Sequence, residues 1–281
     1  MIPQGFDYTA PKTLEEALGL LAEGAKPLAG GQSLIPMMKL RLATPERLVD
    51  LGRLRDLNYV REDGDSLHIG ATATHYDVLS SPLVRSKCPL LSETASCIGD
   101  VQVRNMGTIG GSVAHADPAA DYPAALQALE ARIVLKGAGS ERTVSAADFF
   151  VDTFTTALEP GEIVSEIIVP VDASGTSYQK SYQPASGFAV VGIAARIAKS
   201  NGQIGQVRIG VTGLSNCSYR ATAAEKALEG TAGSADDIRA AAALVPQGVE
   251  ANSDLHASAD YRRHLATVYA ERALKAALAN A

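Results

Sequence analysis

Apolar and polar positions in the first 50 residues alternate in the manner of a β–α–β unit. Thr13 followed three residues later by Glu16 has the spacing of a helix capping box, and the apolar positions after it share one helical face. Short apolar runs at residues 26–29 and 47–51 predict strands on either side of this helix. Residues 1–54 are therefore expected to form a first subdomain.

The pattern in residues 55–172 predicts a mixed second subdomain. Apolar runs on both sides of Asp63-Gly64 indicate a β-hairpin. Thr74 and Asp77 are expected to cap a short helix that Pro82 terminates. Further segments are expected to be helical at 92–98 and 119–129 and extended at 132–136 and 163–169.

Residues 173–281 predict a third region in which strands precede helices. Long apolar runs flank Ser200-Asn201-Gly202, which is a hairpin signal. Three alanine-rich segments follow and are expected to be helical: 221–228, 235–244 and 259–279. This order is typical of an α+β domain.

Composition narrows the class of function. The 281 residues carry a net charge of -6 without blocks of like charge, which disfavours nucleic acid as a partner. No apolar run approaches the ~20 residues of a membrane span. The N-terminus has no signal-peptide pattern, so a cytoplasmic location is expected. The three cysteines are too few for an iron–sulfur cluster, which takes four thiolates, and reduced thiols are expected.

Two glycine-rich stretches carry the candidate chemistry. AGGQSL covers residues 29–34, and GTIGGS covers residues 107–112. Successive N–H groups in a glycine turn can form a concave nest for an anion, and glycine leaves no Cβ in the way. Asp121 could accept hydrogen bonds from sugar or ribityl hydroxyls. Two nests and a hydroxyl acceptor would suit a dinucleotide.

Each of these signals also has a simpler interpretation. A double glycine is most often an ordinary turn, and Asp121 could be a helix cap. Neither stretch is a G-x-G-x-x-G or Walker A motif, which disfavours the common nucleotide-binding folds. The five histidines have no metal-ligand spacing, so no metal site is expected.

Together, the motifs resemble a known family. PLAGGQSLIPMMKLRLATPERLVDL, followed by QVRNMGTIGGSVAHADPAADYPAAL, is similar to the FAD-binding medium subunit of molybdenum hydroxylases. This module occurs in xanthine dehydrogenases and, with the closest similarity, in aerobic carbon monoxide dehydrogenase. The resemblance covers essentially the whole chain. It implies an α+β chain in which a two-subdomain FAD-binding fold of the vanillyl-alcohol oxidase/MurB (PCMH) type precedes a C-terminal α+β domain.

The resemblance also implies a cofactor site for FAD. Lys180 would lie close to the flavin ring, where its charge would favour the anionic reduced flavin, and Phe188 would be an aromatic neighbour of the ring. A solvated strand lysine is the alternative for Lys180. The remaining cofactor-binding positions that the resemblance implies are Ala29, Gly30, Gly31, Gln32, Ser33, Leu34, Ile98, Gly107, Thr108, Gly110, Gly111, Ser112, Asp117, Asp121 and Val164.

The chain departs from the family pattern at two places. Carbon monoxide dehydrogenases usually have histidine where this chain has Gln32, and many relatives with other substrates carry glutamine. The loop at 183–187 lacks the basic run and Gly-Asp of relatives, and Pro184 fixes φ there and removes a donor. The reactive edge of the flavin is therefore expected to be built differently.

The implied role is that of an electron-transfer subunit. A large molybdenum-cofactor subunit would oxidise the substrate, and a small subunit with two 2Fe-2S clusters would deliver the electrons. FAD in this chain would pass them to an external acceptor, in a heterohexamer of two copies of three chains. The alternatives are a free-standing flavin oxidase or reductase of the same fold and an FAD-free assembly scaffold.

Overall fold

The computed structural model describes residues 2–171 and 173–281. Its first region is a small parallel sheet with two helices. The elements are β1 (Asp7–Thr9), α1 (Leu14–Ala22), β2 (Lys26–Leu28), α2 (Leu34–Lys39) and β3 (Arg47–Asp50). The strand order is β1-β3-β2, with all pairs parallel. The predicted β–α–β unit is confirmed.

The start of α1 differs slightly from the capping box that the sequence predicts. The Thr13 side chain accepts a hydrogen bond from the Glu16 N–H at 3.2 Å, as expected. The Glu16 carboxylate, however, accepts from the N–H of Lys12 at 2.8 Å, one residue before the expected partner. Gly24 follows the helix with a φ of +90°, a conformation that favours glycine.

The second region is an antiparallel sheet covered by short helices. Its strands are β4 (Val60–Asp63), β5 (Ser66–Gly70), β6 (Arg132–Gly137), β7 (Ser140–Ser145), β8 (Phe150–Asp152), β9 (Thr155–Thr156) and β10 (Ile163–Pro170). Five of them form a sheet in the order β4-β5-β10-β6-β7, while β8 and β9 pair separately. The hairpin at Asp63-Gly64 is confirmed, with Asp63 opposite Ser66.

The helices of this region are more numerous than the sequence pattern predicts. They are α3 (His75–Ser80), α4 (Pro82–Lys87), α5 (Pro89–Ser96), α6 (Val101–Met106), α7 (Ile109–His115), α8 (Tyr122–Ala128) and α9 (Ala146–Phe149), with a 3-10 turn at Arg55–Leu57. Thr74 and Asp77 cap α3 reciprocally, as predicted. Pro82 does more than terminate α3, because it also opens α4, where its missing N–H costs nothing.

The third region packs helices on one face of an antiparallel sheet. Its elements are β11 (Gly175–Tyr182), β12 (Ala189–Ser200), β13 (Gln203–Thr212), β14 (Tyr219–Arg220), α10 (Thr222–Leu228), α11 (Ala235–Leu244) and α12 (Ala259–Asn280). The strand order is β11-β12-β13-β14. The predicted hairpin and the three predicted helices are confirmed. Across the two described ranges, no helix combines the length and apolarity needed to cross a membrane.

The three regions are packed against one another. Ile163 of β10 belongs to the hydrophobic cluster of the first region, and Tyr178 and Ala194 of the third region belong to that of the second. At Gly210 of β13, an added Cβ would lie 1.9 Å from the carbonyl oxygen of Ala124 in α8, so strand and helix meet backbone to backbone. The α+β fold class is confirmed. The expected boundaries stay predictions, and the one at residue 172 lies outside the described residues.

Candidate cofactor site

The first glycine stretch is a turn with open backbone donors. Gly31 has a φ of +72°, which favours glycine, and the chain then enters α2. Within the described residues, no hydrogen bond of the protein uses the N–H groups of residues 30–34. The Ser33 side chain makes no capping bond to the helix that follows it. These half-buried or exposed N–H groups are therefore available to an anion, as the sequence predicts.

The second glycine stretch does not form the open N–H nest that the sequence suggests. Residues 109–115 form α7, and the N–H groups of its first turn are already bonded within the protein. Gly110 donates to the Ala71 carbonyl at 2.9 Å, and Gly111 donates to the Thr108 hydroxyl at 3.1 Å. The prediction of a second N–H nest is wrong for this turn. A Cβ at Gly110 would lie 2.4 Å from the Ala71 Cβ, so glycine is needed there for close packing.

The fold brings the two glycine stretches into contact. A Cβ at Gly30 would lie 2.1 Å from the Met106 carbonyl oxygen and 2.7 Å from the Gly107 Cα. A Cβ at Gly111 would lie 3.9 Å from the Ala29 Cβ. The open N–H groups of the first turn therefore lie beside α7. The Thr108 hydroxyl caps α7, and Ser112 lies half-buried in its first turn.

A buried ion pair joins the second region to the third. The Lys180 ammonium lies 2.9 Å from Asp121 Oδ1, and both side chains are only 5–6% exposed. Tyr178 donates its hydroxyl hydrogen to the same carboxylate at 2.5 Å. Two simple interpretations are therefore wrong, because Lys180 is not a solvated lysine and Asp121 makes no side-chain cap on α8. Asp121 is instead the counter-ion of Lys180.

Burial dominates the titration of Asp121. It raises the pKa of the carboxyl group to about 6, even though the charge of Lys180 and the Tyr178 hydrogen bond favour the ionised form. Both carboxylate oxygens have partners within the protein. The suggested role of Asp121 as an acceptor for ligand hydroxyls is therefore not supported by its surroundings.

The turn after α7 rests on the edge of the third region. Asp117 accepts a hydrogen bond from the Ala119 N–H at 2.8 Å, which fixes the turn. The Ala119 carbonyl accepts a hydrogen bond at 3.2 Å from the N–H of Ala189, the residue that follows Phe188. Phe188 itself is 45% exposed and closes the loop between β11 and β12. The expected neighbour of the flavin ring thus lies next to the segment that ends at Asp121.

The two apolar positions that the resemblance implies have different surroundings. Ile98 follows α5 and is half-buried against the core of the second region. Val164 is 4% exposed, so its side chain lies in that core. It adjoins a β-bulge between residues 164 and 166, where the pairing of β10 with β6 shifts. Their contacts with FAD stay predictions.

Two residues of this site are not predicted from the sequence. Arg104 of α6 donates to the carbonyls of Ile98 and Gly99, both at 2.9 Å, and so holds the turn after α5. Tyr178 holds Asp121. Tyr178 and Lys180 are two residues apart on one strand and therefore point to the same face, which is the only sequence signal that relates them.

The site fits FAD at its pyrophosphate end. Five consecutive open N–H groups at residues 30–34 suit a doubly charged phosphate bridge, and none of these five residues carries a carboxylate. In the described part of the chain, no cluster of three or more histidine, cysteine or acidic side chains could hold a metal ion. All three cysteines are free thiols.

Comparison with known proteins identifies the family. Residues 4–172 match the family model of the FAD binding domain in molybdopterin dehydrogenase. Residues 176–277 match that of the CO dehydrogenase flavoprotein C-terminal domain. The chain belongs to the family of FAD-binding medium subunits of carbon monoxide dehydrogenase-type molybdenum hydroxylases. It is therefore an oxidoreductase component whose cofactor is FAD, as predicted.

Individual relatives match over nearly the whole chain. The carbon monoxide dehydrogenase medium chain of Hydrogenophaga pseudoflava is 43% identical, and the alignment covers 99% of this chain and 99% of the relative. The glyceraldehyde dehydrogenase medium chain of Sulfolobus acidocaldarius is 40% identical, with 98% of this chain and 99% of the relative covered. The solved carbon monoxide dehydrogenase of Hydrogenophaga pseudoflava superposes with a TM-score of 0.96 at 44% identity, covering 100% of this chain and 99% of the other.

Proposed function

We propose that this chain is the electron-transfer subunit of a molybdenum hydroxylase complex. A small partner chain with 2Fe-2S clusters would deliver electrons to FAD, and an external acceptor would receive them. A large molybdenum-cofactor chain would oxidise the substrate, in a heterohexamer of two copies of each chain in the cytoplasm. The observation that supports this role is the open N–H array at residues 30–34, which packs against the start of α7.

The chain's own residues would bind and orient the cofactor. The N–H groups of residues 30–34 would hold the pyrophosphate, and the hydroxyl of Ser112 would add a donor from α7. Phe188, which is 45% exposed, would cover the ring. FAD supplies the redox chemistry when it is bound.

Selection of the substrate is assigned to another chain of the complex. Relatives named for glyceraldehyde and carbon monoxide are 40% and 43% identical to this chain, and each matches nearly its full length. The quinoline 2-oxidoreductase of Pseudomonas putida 86 superposes with a TM-score of 0.95 at 32% identity. One medium-subunit architecture thus accompanies several substrate classes.

FAD is expected to bind without a covalent bond. Neither glycine stretch contains a cysteine, and His115 at the end of α7 is the candidate for such a bond that the sequence offers beside the second stretch. Burial lowers the pKa of His115, and its ring packs on Phe154 with centroids 5.0 Å apart. Acid precipitation should leave the flavin in the supernatant. Yellow pellets would contradict the prediction, and a His115→Ala variant would then show whether this residue is the attachment site.

The chain is expected to co-purify with two partner chains. Coexpression with neighbouring genes, followed by pull-down and gel filtration, should give one stable complex, because specific interfaces bury on the order of 1,600 Å². Substrate should reduce the flavin only when all three chains are present. Rapid reduction by a small organic substrate in the isolated chain would replace this proposal with a free-standing oxidase. A complex that assembles without any flavin would support the scaffold alternative.

A further inference from the structure

Lys180 uses all its hydrogen-bond donors within the protein. An ammonium group has three N–H bonds. The Nζ atom of Lys180 lies 2.7 Å from the Cys97 carbonyl oxygen, 2.7 Å from the Gly187 carbonyl oxygen and 3.0 Å from Asp121 Oδ2. The side chain is 6% exposed. No donor remains for a ligand, so Lys180 acts through the segments that it joins.

Those segments carry two side chains expected to contact FAD: Phe188 at the flavin ring, and Ile98 among the apolar positions that line the cofactor. Cys97 precedes Ile98 in the turn after α5, and Gly187 precedes Phe188 in the loop after β11. The two segments touch, because a Cβ at Gly187 would lie 3.5 Å from the Gly99 Cα. Lys180 and these contacts fix the spacing between the turn and the loop.

The rest of the network makes this arrangement rigid. Arg104 donates hydrogen bonds to the carbonyls of Ile98 and Gly99 in the same turn. Tyr178 and Lys180 both bind Asp121, which is 5% exposed, so the charge of Lys180 is neutralised inside the protein. Any movement that separates a buried ion pair leaves an uncompensated charge, which is costly in free energy. The pair and its hydrogen bonds therefore favour a single geometry.

We propose that Lys180 is a positioning residue: its ammonium ties the 96–99 turn to the 183–188 loop and so preorganises the walls that carry Ile98 and Phe188 for the flavin ring. This inference rests on the proposed function, because the ring is that of FAD. It differs from the expectation that Lys180 contacts the ring and acts by its charge. The pyrophosphate end, at residues 30–34, contains none of these residues and should not depend on them.

The test separates the two ends of the cofactor. Affinities for FAD and for ADP, which has the pyrophosphate but no flavin, are measured on the purified protein with any co-purifying partner chains. In Lys180→Met, the Kd for FAD is expected to rise about tenfold or more, while that for ADP changes by less than about twofold. Bound flavin should also lose visible circular dichroism, and residues 96–99 and 183–188 should exchange amide hydrogens faster.

Two further variants keep the test independent of folding. In the single variant Lys180→Met, the buried carboxylate of Asp121 has lost its counter-ion. The double variant Lys180→Met/Asp121→Asn removes this charge as well, and it should show the same loss of affinity for FAD with near-native stability. Lys199→Met is the matched control, because Lys199 also binds two backbone carbonyls, those of Leu278 and Ala281, at the far end of the same sheet. It should leave both affinities unchanged.

The outcomes distinguish the inference from the proposed function. Wild-type protein that binds neither FAD nor ADP overturns the proposed function, and the inference with it. Wild-type protein that binds FAD, together with Lys180→Met variants that bind it equally well and with the same circular dichroism, overturns only the inference. Equal losses for FAD and ADP in the double variant would also overturn it, because the effect would then not be confined to the ring.

Discussion

Replacing Gly31 by aspartate is expected to abolish FAD binding while the fold persists. The new carboxylate would lie beside the open N–H groups at residues 30–34, where we propose that the pyrophosphate binds. Two unit charges about 5 Å apart repel by about 3 kcal/mol at an effective dielectric constant of about 20, which is more than a hundredfold in affinity. Fluorescence titration with FAD measures the loss directly.

The structure indicates why Gly31→Asp should still fold. The atom nearest to a new Cβ is the terminal Cδ1 of Ile35, at 2.6 Å, and this flexible end can move. The φ of +72° adds strain of about 1 kcal/mol, and aspartate tolerates this region better than most residues. Gly64→Asp is the matched control, since Gly64 has a φ of +55° and open space around it. Retained FAD affinity in Gly31→Asp would remove the pyrophosphate assignment.

Replacing Gly210 by alanine is expected to destabilise the whole chain. The new Cβ would lie 1.9 Å from the Ala124 carbonyl oxygen, a backbone atom that no rotamer change can move. Overpacking of this kind typically costs about 1–3 kcal/mol, and a backbone-to-backbone clash is at the upper end. Because α8 starts directly after Asp121, its displacement should also separate Asp121 from Lys180 and weaken FAD binding.

Thermal and urea unfolding would measure the effect of Gly210→Ala. The control is Gly19→Ala in α1, where nothing lies within 4 Å of the new Cβ and helix propensity predicts a gain of about 0.5–1 kcal/mol. If Gly210→Ala unfolds at the same denaturant concentration as the wild type, the contact between α8 and β13 is not the tight junction described above.

Local sequence patterns predict most helices and strands, but they do not predict the structural role of every motif. The caps at Thr13 and Thr74 and the hairpin turns at Asp63-Gly64 and Asn201-Gly202 depend on adjacent residues, and these predictions are correct. The helix that contains Gly110 and Gly111 is not predicted, because two glycines lower helix propensity and tertiary hydrogen bonds to the carbonyls of Ala71 and Ala73 compensate. Local sequence cannot show such compensation.

The candidate site was predictable only in part for the same reason. The first glycine turn is local, and its open donors follow from the sequence AGGQS. The Lys180 network joins residues up to 83 positions apart, between Cys97 and Lys180. Its members come from the turn after α5, from α6, from the residue before α8, from β11 and from the loop after β11. Family resemblance placed Lys180 near the ring, but it did not indicate that the ammonium is enclosed by the protein.

The position of Ile163 has a consequence for how the chain loses its structure. This residue begins β10 in the second region, yet it is 3% exposed and completes the hydrophobic cluster built around α1 and β3. The parallel sheet at residues 7–50 therefore lacks a closed core of its own. Local opening of β10 would deprive that sheet of part of its packing, so we expect the unfolding of the two regions to be coupled. The glycine turn at residues 30–34 belongs to the first region, so we expect its stability against local unfolding to depend on β10 as well.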